Sequence, residues 1–301
     1  MFKSKYRCVH TMEKIAMKIK ITADSTCDLS KELLVKYDIA ISPLHVSLGN
    51  DDFHDGVTIV PQDIYNFYNE NKKLPKSGAC SAVEYEEFFK KQLDEGYDAI
   101  IHFNLSSEMS ASYNNAVNAA KDMANVYVVD SRNLSTGTGL LVLYARDLAN
   151  EGFAPQEIVD KVNSRLDAVR ASFIINTLEY LHKGGRCSSL VYYAANVMGL
   201  KPTIEVKSGK MGVGSKFIGK FARCVNKYAN LVKSQCTSPD KTRCFVTHTQ
   251  MDDGIVEQVI EQVKSWGIFD EVLETTAGCT ITTHCGPNTI GILFINDGET
   301  L

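Results

Sequence analysis

The chain of 301 residues lacks three features that define common classes of protein. It has no basic excess: 32 lysines and arginines stand against 36 acidic residues, so general nucleic-acid binding is not expected. No apolar run approaches the ~20 residues of a membrane span, and the N-terminus lacks the apolar centre of a signal peptide. We therefore expect a cytoplasmic protein that makes at most transient membrane contact and no stable membrane insertion.

Motifs for metals, disulfides and nucleotides are also missing. The nine cysteines are odd in number and include no CxxC pair, which favours reduced thiols over a disulfide framework or a metal site. No G-x-x-x-x-G-K-[ST] phosphate loop is present, and the segment STGTG is too loose for a dinucleotide fingerprint. The sequence therefore predicts no metal and no cofactor.

The first half of the chain alternates apolar runs with helical patterns. Strands are predicted at MKIKITADS, DAIIHFNL and VYVVDS, and helices at LSKELLVKYD, DIYNFYNEN, AVEYEEFFKKQLDEG, SASYNNAVNAAKDMA and STGTGLLVLYARDLANEG. Strands joined by crossover helices form mainly parallel sheets that are covered on both faces. Residues 17–152 are therefore predicted to form an α/β domain, and residues 1–16 an N-terminal extension.

Residues 153–301 are predicted to form a second, α+β domain. Its predicted elements are a helix PQEIVDKVNSRLDAVRA, a strand SFIINT, helical LVYYAANVMG, a hairpin KPTIEVKSGKMGVG, a helix KFIGKFARCVNKYANLVKSQ, a strand CFVTHTQ, a helix IVEQVIEQVKSWG and a strand TIGILFIND. Two domains of this size can form a cleft between them.

Hydroxyl-rich segments follow each of the three strands predicted in the first domain. These segments are ADSTCD, NLSSEMSAS and DSRNLSTGTG. Ligands of open α/β sheets bind beyond the carboxyl ends of the strands, and the amides of a helix N-terminus attract anions. The hydroxyls could serve only as helix caps, but three such segments in one domain favour a shared site.

Ser110 is the strongest candidate within these segments. If a helix begins near Ser110, its hydroxyl and amide lie in the first turn, where a carboxylate would meet donors and the positive end of the helix dipole. Ser107 is an alternative cap. Ser77, in the predicted loop LPKSGACS, could supply a second neutral donor.

The second domain contains two candidate side chains of a different kind. Arg186 follows two glycines, and its planar guanidinium suits a carboxylate or phosphate, although a helix that ends at Gly-Gly followed by a surface arginine is an equal alternative. His284 is placed in a predicted Thr-rich loop, TTHCGPN, before the final strand. A structural histidine is the alternative there.

A serine-dependent lipid or acyl-ester hydrolase is the principal enzyme alternative. Many serines and one candidate base are present, but the G-x-S-x-G nucleophile elbow is absent. A carrier of another amphipathic anion, without a kinase partner, is the third possibility.

Seven segments together resemble the DegV family of bacterial fatty-acid-binding proteins. They are DSTCDL, LPKSGACS, LSSEMSASYNNA, DSRNLSTGTGLLV, YLHKGGR, GLKPTIEVKSG and TTHCGPNTIGILF, and they extend the resemblance from Met17 to Asp297. The resemblance implies a two-domain α/β protein that holds one long-chain fatty acid, with the acyl tail in the N-terminal domain and the carboxylate near the interdomain cleft.

The resemblance also implies a partner and a set of site residues. Family members act as the binding subunit of a fatty acid kinase: a separate ATP-using kinase converts the presented acid to an acyl phosphate for phospholipid synthesis. The chain is therefore expected to be a binding subunit rather than an enzyme by itself. The carboxylate-binding hydroxyls of the family correspond to Ser77 and Ser110, and its Arg and His near the carboxylate end, associated with kinase function, correspond to Arg186 and His284.

The chain departs from the family pattern at three segments. Where the family commonly has T-S-Q-P-S, this chain has SGACS, with Ser77 at the position of Thr and Gly78 at the position of Ser. Where the family has L-S-G-T-Y, this chain has MSASY. Where the family has G-P-G, this chain has GPN, with Asn288 at the position of the second glycine. The hydroxyl donors are largely retained, so carboxylate binding is expected to persist.

Overall fold

The computed structural model describes residues 17–186 and 199–299. The first half contains β1 (Ile19–Asp24), α1 (Lys31–Lys36), β2 (Ile39–Ser42), β3 (His45–Leu48), β4 (Asp51–His54), α2 (Pro61–Asn71), β5 (Lys76–Gly78), α3 (Ala82–Asp94), β6 (Ala99–Asn104), α4 (Ser112–Ala120), β7 (Val126–Asp130) and α5 (Ser135–Asn150). The second half contains α6 (Pro155–Arg165), β8 (Val169–Ile175), α7 (Glu179–Gly184), β9 (Leu200–Lys207), β10 (Lys210–Ile218), α8 (Phe221–Gln235), β11 (Arg243–His248), α9 (Asp253–Lys264), β12 (Glu271–Thr276), α10 (Cys279–Cys285) and β13 (Thr289–Ile295).

A four-stranded parallel sheet with the order β2-β1-β6-β7 forms the centre of the first half. All six residues of β1 and all six of β6 are buried, as is usual for the central strands of a parallel sheet, although β1 includes the buried polar residues Lys20, Thr22 and Asp24. The predicted α/β architecture with a mainly parallel sheet is confirmed. Because the strands are parallel neighbours, their carboxyl ends lie side by side.

Several short strands were not predicted. β3 pairs antiparallel with both β4 and β5 in a small separate sheet, and β2 and β12 extend the two larger sheets. The loop predicted at LPKSGACS was wrong at Ser77, because Ser77 lies in the middle of β5 and pairs with Val46.

A six-stranded mixed sheet with the order β10-β9-β8-β13-β11-β12 forms the second half. The predicted hairpin is confirmed, and Ser208 and Gly209 at its turn both have positive φ, as a tight hairpin turn requires. β10 continues to Ile218, so the helix predicted from Lys216 begins only at Phe221. The helix predicted at residues 190–199 falls almost entirely outside the described residues.

Helix α5 lies between the two large sheets and joins their cores. Twelve of its sixteen residues are buried, and one hydrophobic cluster contains side chains from α5, from β1 and from β8. The glycines of STGTG serve this packing: a Cβ at Gly139 would lie 2.9 Å from the carbonyl oxygen of Cys27. A domain boundary near residue 152 stays a prediction, since the core is continuous across it.

Helix α10 is inserted against elements of the first half, and the prediction of a loop at TTHCGPN was wrong. Residues 279–285 form this helix, which packs on α2, α7, β3 and β5. A loop was predicted because the segment is rich in threonine and contains Gly286 and Pro287, which favour a turn, just before the final strand. The predicted turn is at Gly286, where φ is 69°.

Two buried carboxylates from the first half hold the N-terminus of α10. Asp55 accepts the amide of Cys279 at 2.7 Å and that of Thr280 at 2.9 Å, and Asp28 accepts the amide of Gly278 at 2.8 Å. Since the first amides of a helix have no intrahelical acceptor, these carboxylates satisfy them and fix the helix in place.

Candidate functional site

A cavity of about 410 Å³ lies between the small sheet, the segment after β6, and α10. Its lining residues are Leu44, Ser77, Gly78, Ala79, Leu105, Met109, Ser110, Ala111, Leu134, Arg186, Met211, Thr280, Ile281, His284 and Cys285. Four of the five residues predicted for the site, Ser77, Ser110, Arg186 and His284, therefore line one cavity. This volume lies within the range of about 300–1,000 Å³ that is typical of small-molecule sites.

Ser77 and His284 form the central polar contact of the cavity. The Ser77 hydroxyl lies 2.7 Å from Nε2 of His284, although the two residues are 207 positions apart in the chain. Desolvation lowers the pKa of His284 to about 4, and the nearby Arg186 guanidinium contributes to the shift. The imidazole is therefore neutral at physiological pH.

The surroundings of His284 indicate which of its nitrogens carries the proton. Nδ1 is buried and has no hydrogen-bond partner among the described residues. A buried N–H without an acceptor is costly, so the proton is better placed on Nε2, where it is donated to the Ser77 oxygen. In this tautomer the hydrogen of the Ser77 hydroxyl is free to point at an acceptor in the cavity.

Arg186 lies on the exposed side of the cavity, just beyond α7. Gly185 has φ of 69° and ends α7 in the left-handed conformation, as the Gly-Gly pair indicated. The guanidinium donates to the Gly184 carbonyl oxygen at 2.8 Å, and none of its other donors has a hydrogen-bond partner within residues 17–186 and 199–299. A Cβ at Gly184 would lie 2.6 Å from Nδ1 of His284, so this glycine allows the loop to pass close to the imidazole.

Ser110 lines the cavity but is not in the first turn of a helix. Helix α4 begins at Ser112, so the predicted start near Ser110 was wrong, and the Ser110 amide is already donated to the Ser106 carbonyl at 3.2 Å. The Ser110 hydroxyl instead lies 2.9 Å from the Ser112 hydroxyl and accepts the Ser112 amide at 3.2 Å. Its contribution to a ligand is therefore its hydroxyl alone.

Ser107 is not among the residues that line the cavity, unlike the other four predicted site residues. It does not cap α4, and its amide is donated to Asp130 at 3.2 Å. The two remaining hydroxyl-rich segments lie beside the site, but their hydroxyls mostly contact the protein itself. Ser135, for example, donates to Asp28 at 2.5 Å. The grouping of hydroxyls was therefore only a partial guide to the site.

The apolar wall of the cavity comes from both halves of the chain. Its apolar residues are Leu44, Leu105, Met109 and Leu134 from the first half and Met211, Ile281 and Cys285 from the second. A small adjoining cavity of about 30 Å³ shares Leu134, Ile281 and Cys285 with it. An acyl tail in the N-terminal domain stays a prediction, and the apolar wall of the cavity includes three residues of the second half.

Similarity to known proteins extends over almost the whole chain. A family model described as an uncharacterised protein of the DegV family matches residues 18–297. The chain belongs to the DegV family. A DegV domain-containing protein of Clostridium acetobutylicum is 32% identical over 286 residues, which cover 92% of this chain and 98% of that protein. A protein of Thermotoga maritima named a fatty acid-binding protein is 30% identical and covers 91% of this chain and 96% of its own length.

Two solved structures have the same fold as this chain. A structure described as a stearic acid-binding protein from Eubacterium ventriosum is 28% identical, with a TM-score of 0.82 over 92% of this chain and 98% of that one. A DegV family protein from Thermus thermophilus has a TM-score of 0.86 over 93% of this chain and 100% of that one; at 24% identity it supports the fold alone.

The departures from the usual DegV segments have local structural reasons. Asn288 replaces glycine at φ of 56°, a left-handed conformation that asparagine tolerates better than most residues. Gly78 replaces serine where a Cβ would lie 3.2 Å from the Cβ of His45. Ser112 replaces threonine and keeps the hydroxyl that contacts Ser110.

Among the residues of the DegV cavity that the sequence analysis missed are Thr280, Ile281 and Cys285. All three lie on α10, of which residues 282–285 were predicted as a loop and residues 279–281 were assigned to no element. The spacing of Thr280 and His284, four residues apart, could have placed them on one face if the segment had been recognised as a helix.

No helix in the described part of the chain is both long and apolar enough to cross a membrane.

The lowered pKa of His284 predicts a specific pH dependence. Between pH 6.5 and pH 4 the unfolded state binds a proton at this residue and the folded state does not, so acidification through this window should reduce stability. In an NMR titration of the folded protein, the His284 ring should stay neutral until about pH 4. A midpoint near 6.5 would contradict the buried, uncharged pairing with Ser77.

Proposed function

We propose that this chain binds a long-chain fatty acid in the cavity, with the carboxylate at Ser77 and Ser110. The observation that carries the proposal is the Ser77–His284 pair at 2.7 Å, which presents a neutral hydroxyl donor beside an apolar wall. Each buried CH₂ contributes about 0.8 kcal/mol, so an acyl chain of about sixteen carbons provides on the order of 10 kcal/mol. The names of the relatives as fatty-acid-binding proteins support the same ligand.

We further propose that the bound acid is presented to a separate ATP-dependent kinase in the cytoplasm, which forms the acyl phosphate. Neutral hydroxyls suit this task, because they hold a carboxylate while leaving one of its oxygens available for phosphorylation. Arg186, exposed at the edge of the cavity, is placed to offset the negative charge that develops as phosphate arrives. The chain then acts as a binding subunit and catalyses nothing alone.

Substitution of Arg186 by alanine should separate binding from turnover. Because the hydroxyls hold the carboxylate, we expect fatty-acid affinity to change less than threefold, whereas ATP-dependent acyl phosphate formation with the matching kinase should fall at least tenfold. Fatty-acid titration and acyl phosphate assays measure the two quantities. Arg223→Ala, at an exposed arginine on α8, is the matched control.

Different outcomes test different parts of this proposal. If Arg186→Ala lost fatty-acid binding and acyl phosphate formation equally, the proposal that Arg186 acts mainly in turnover would be wrong. Tight fatty-acid binding by the wild-type protein without any turnover alongside the kinase would favour a carrier that has no kinase partner.

The hydrolase alternative has one supporting contact and lacks the rest of the machinery. Ser77 and His284 are within hydrogen-bond distance, as a nucleophile and its base would be. However, Nδ1 of His284 has no orienting partner among the described residues, and a pKa of about 4 makes the imidazole a weak base. Labelling of Ser77 or Ser110 by a serine-reactive phosphonate would support the hydrolase instead.

A further inference from the structure

His45 on β3 lies between two carboxylates that belong to different elements. Its Nδ1 is 2.6 Å from a carboxylate oxygen of Asp52 on β4, and its Nε2 is 2.8 Å from a carboxylate oxygen of Glu84 on α3. A neutral imidazole carries one N–H, so it can donate to only one of the two carboxylates. Both contacts are satisfied at once only when the ring is protonated. We call these three residues the His45 bridge.

The charges within the His45 bridge favour the protonated ring. Partial burial of the ring opposes protonation, but the hydrogen bonds to Asp52 and Glu84 outweigh it and raise the pKa of His45. Although partial burial of the two carboxyl groups also opposes their ionisation, the same contacts help to lower the pKa of Asp52 and of Glu84. Both carboxylates are therefore ionised at neutral pH.

The other groups packed around His45 supply no negative charge. His54 on β4 has its ring centroid 4.9 Å from that of His45, and the register of β5 places Lys76 on the same face of the small sheet. Helix α10 packs against the opposite face of β3, where Val46 and Cys279 belong to one apolar cluster. Burial raises the pKa of the Cys279 thiol, which is therefore neutral.

The His45 bridge restrains a segment that forms part of the cavity wall. Gly78 pairs with His45 in the ladder between β3 and β5, and residues 77–79 line the cavity. The chain then enters α3 at Ser81, whose amide and hydroxyl each donate to Glu84 at 2.7 Å. This wall segment is therefore tied to β3 twice, by the β-ladder at one end and by the contact between His45 and Glu84 at the other.

Loss of the proton from His45 removes one of these two ties. One ring nitrogen then becomes an acceptor that faces a carboxylate, and the two repel each other. We expect the remaining N–H to stay on Nδ1, because the contact with Asp52 is the shorter one. Glu84 keeps its two contacts with Ser81, so the start of α3 separates from β3 and the wall segment is held by the β-ladder alone.

We propose that the His45 bridge is a proton-dependent control of fatty-acid retention: the protonated bridge holds the cavity wall in place, and its deprotonation speeds release of the ligand. This inference rests on the proposed fatty-acid binding. Below pH 6.5 the ring is protonated in the folded and the unfolded protein, and the bridge contributes fully; the contribution is lost as the pH rises through the higher pKa of folded His45. The effect predicted for His284 lies on the acidic side of pH 6.5, so the two are separable.

The test measures the release of radiolabelled hexadecanoic acid from the loaded protein to an excess of delipidated albumin. The range from about pH 6 to about pH 9 keeps the ligand carboxylate ionised. The side chains of His45 and Glu84 are 21% and 39% exposed, so we expect the wild-type release rate to rise only about fivefold across this range. His45→Gln, which is neutral throughout, should release quickly at every pH. His45→Arg, which stays charged and can donate in two directions, should release slowly at every pH.

His182→Gln is the matched control, because His182 is an exposed histidine on α7 that does not line the cavity. It should keep the wild-type pH profile. In an NMR titration the His45 ring should have a midpoint above pH 6.5, where the release rate also changes. The inference is overturned if the wild-type rate does not depend on pH, if the dependence persists in His45→Gln, or if His45 titrates at or below pH 6.5. Failure of the wild type to bind hexadecanoic acid at any pH would instead reject the proposed function.

Discussion

Replacement of Asp55 by alanine should lower the free energy of unfolding by about 3–5 kcal/mol. Asp55 is 3% exposed and accepts the amides of Cys279 and Thr280, and it also accepts the Ser25 hydroxyl at 3.1 Å. Alanine would leave the two buried amides, and the half-buried Ser25 hydroxyl, without this acceptor. Because α10 carries His284, we also expect the cavity to lose its defined shape.

Urea denaturation of the wild type and the variant measures this effect. Asp51→Ala is the matched control, since Asp51 is an exposed aspartate on the neighbouring strand β4, and its loss should change stability by less than about 0.5 kcal/mol. If Asp55→Ala cost no more than its control, the two carboxylates would not be what fixes α10.

The double substitution Ser77→Ala and Ser110→Ala should weaken fatty-acid binding about 100-fold or more. Each hydroxyl is proposed to donate a hydrogen bond to the carboxylate, and a hydrogen bond to a charged group is worth about 1.5–3 kcal/mol. Loss of Ser77 would also leave Nε2 of His284 without its partner at 2.7 Å. Each single variant should weaken binding about tenfold.

Titration of the delipidated proteins with one fatty acid measures these affinities, and thermal unfolding checks that the variants fold. Ser107→Ala is the matched control, because Ser107 belongs to the same serine-rich segment but does not line the cavity. If the double variant bound the fatty acid as tightly as wild type, the carboxylate would not be bound by Ser77 and Ser110, whatever the affinity of the Ser107→Ala control.

Three of the four strands of the parallel sheet, β1, β6 and β7, were predictable because each is rich in apolar or β-branched residues and is followed by a segment with helical periodicity. The fourth strand, β2, has only four residues and was not predicted. The small sheet was not predictable for the opposite reason. β4 is four residues long with an exposed and half-exposed pattern, and β5 has only three residues, so neither gives a periodic signal.

The members of the candidate site could be predicted individually, but their arrangement could not. Ser77 and His284 lie 207 residues apart, and no local pattern indicates that β5 and α10 meet. Thr280 was missed because α10 depends on tertiary anchoring by Asp28 and Asp55 rather than on helix propensity. Ser110 was ranked above Ser107 on an expected helix start near Ser110, whereas the structure brings Ser110 to the cavity through the turn before α4.

Mass spectrometry of the lipid extracted from the denatured protein, after gentle purification from a bacterial host, tests the central claim most directly. The account predicts close to one long-chain fatty acid per protein molecule, and loss of this lipid from the Ser77→Ala/Ser110→Ala variant. A protein that is recovered empty and also refuses added fatty acids would contradict it.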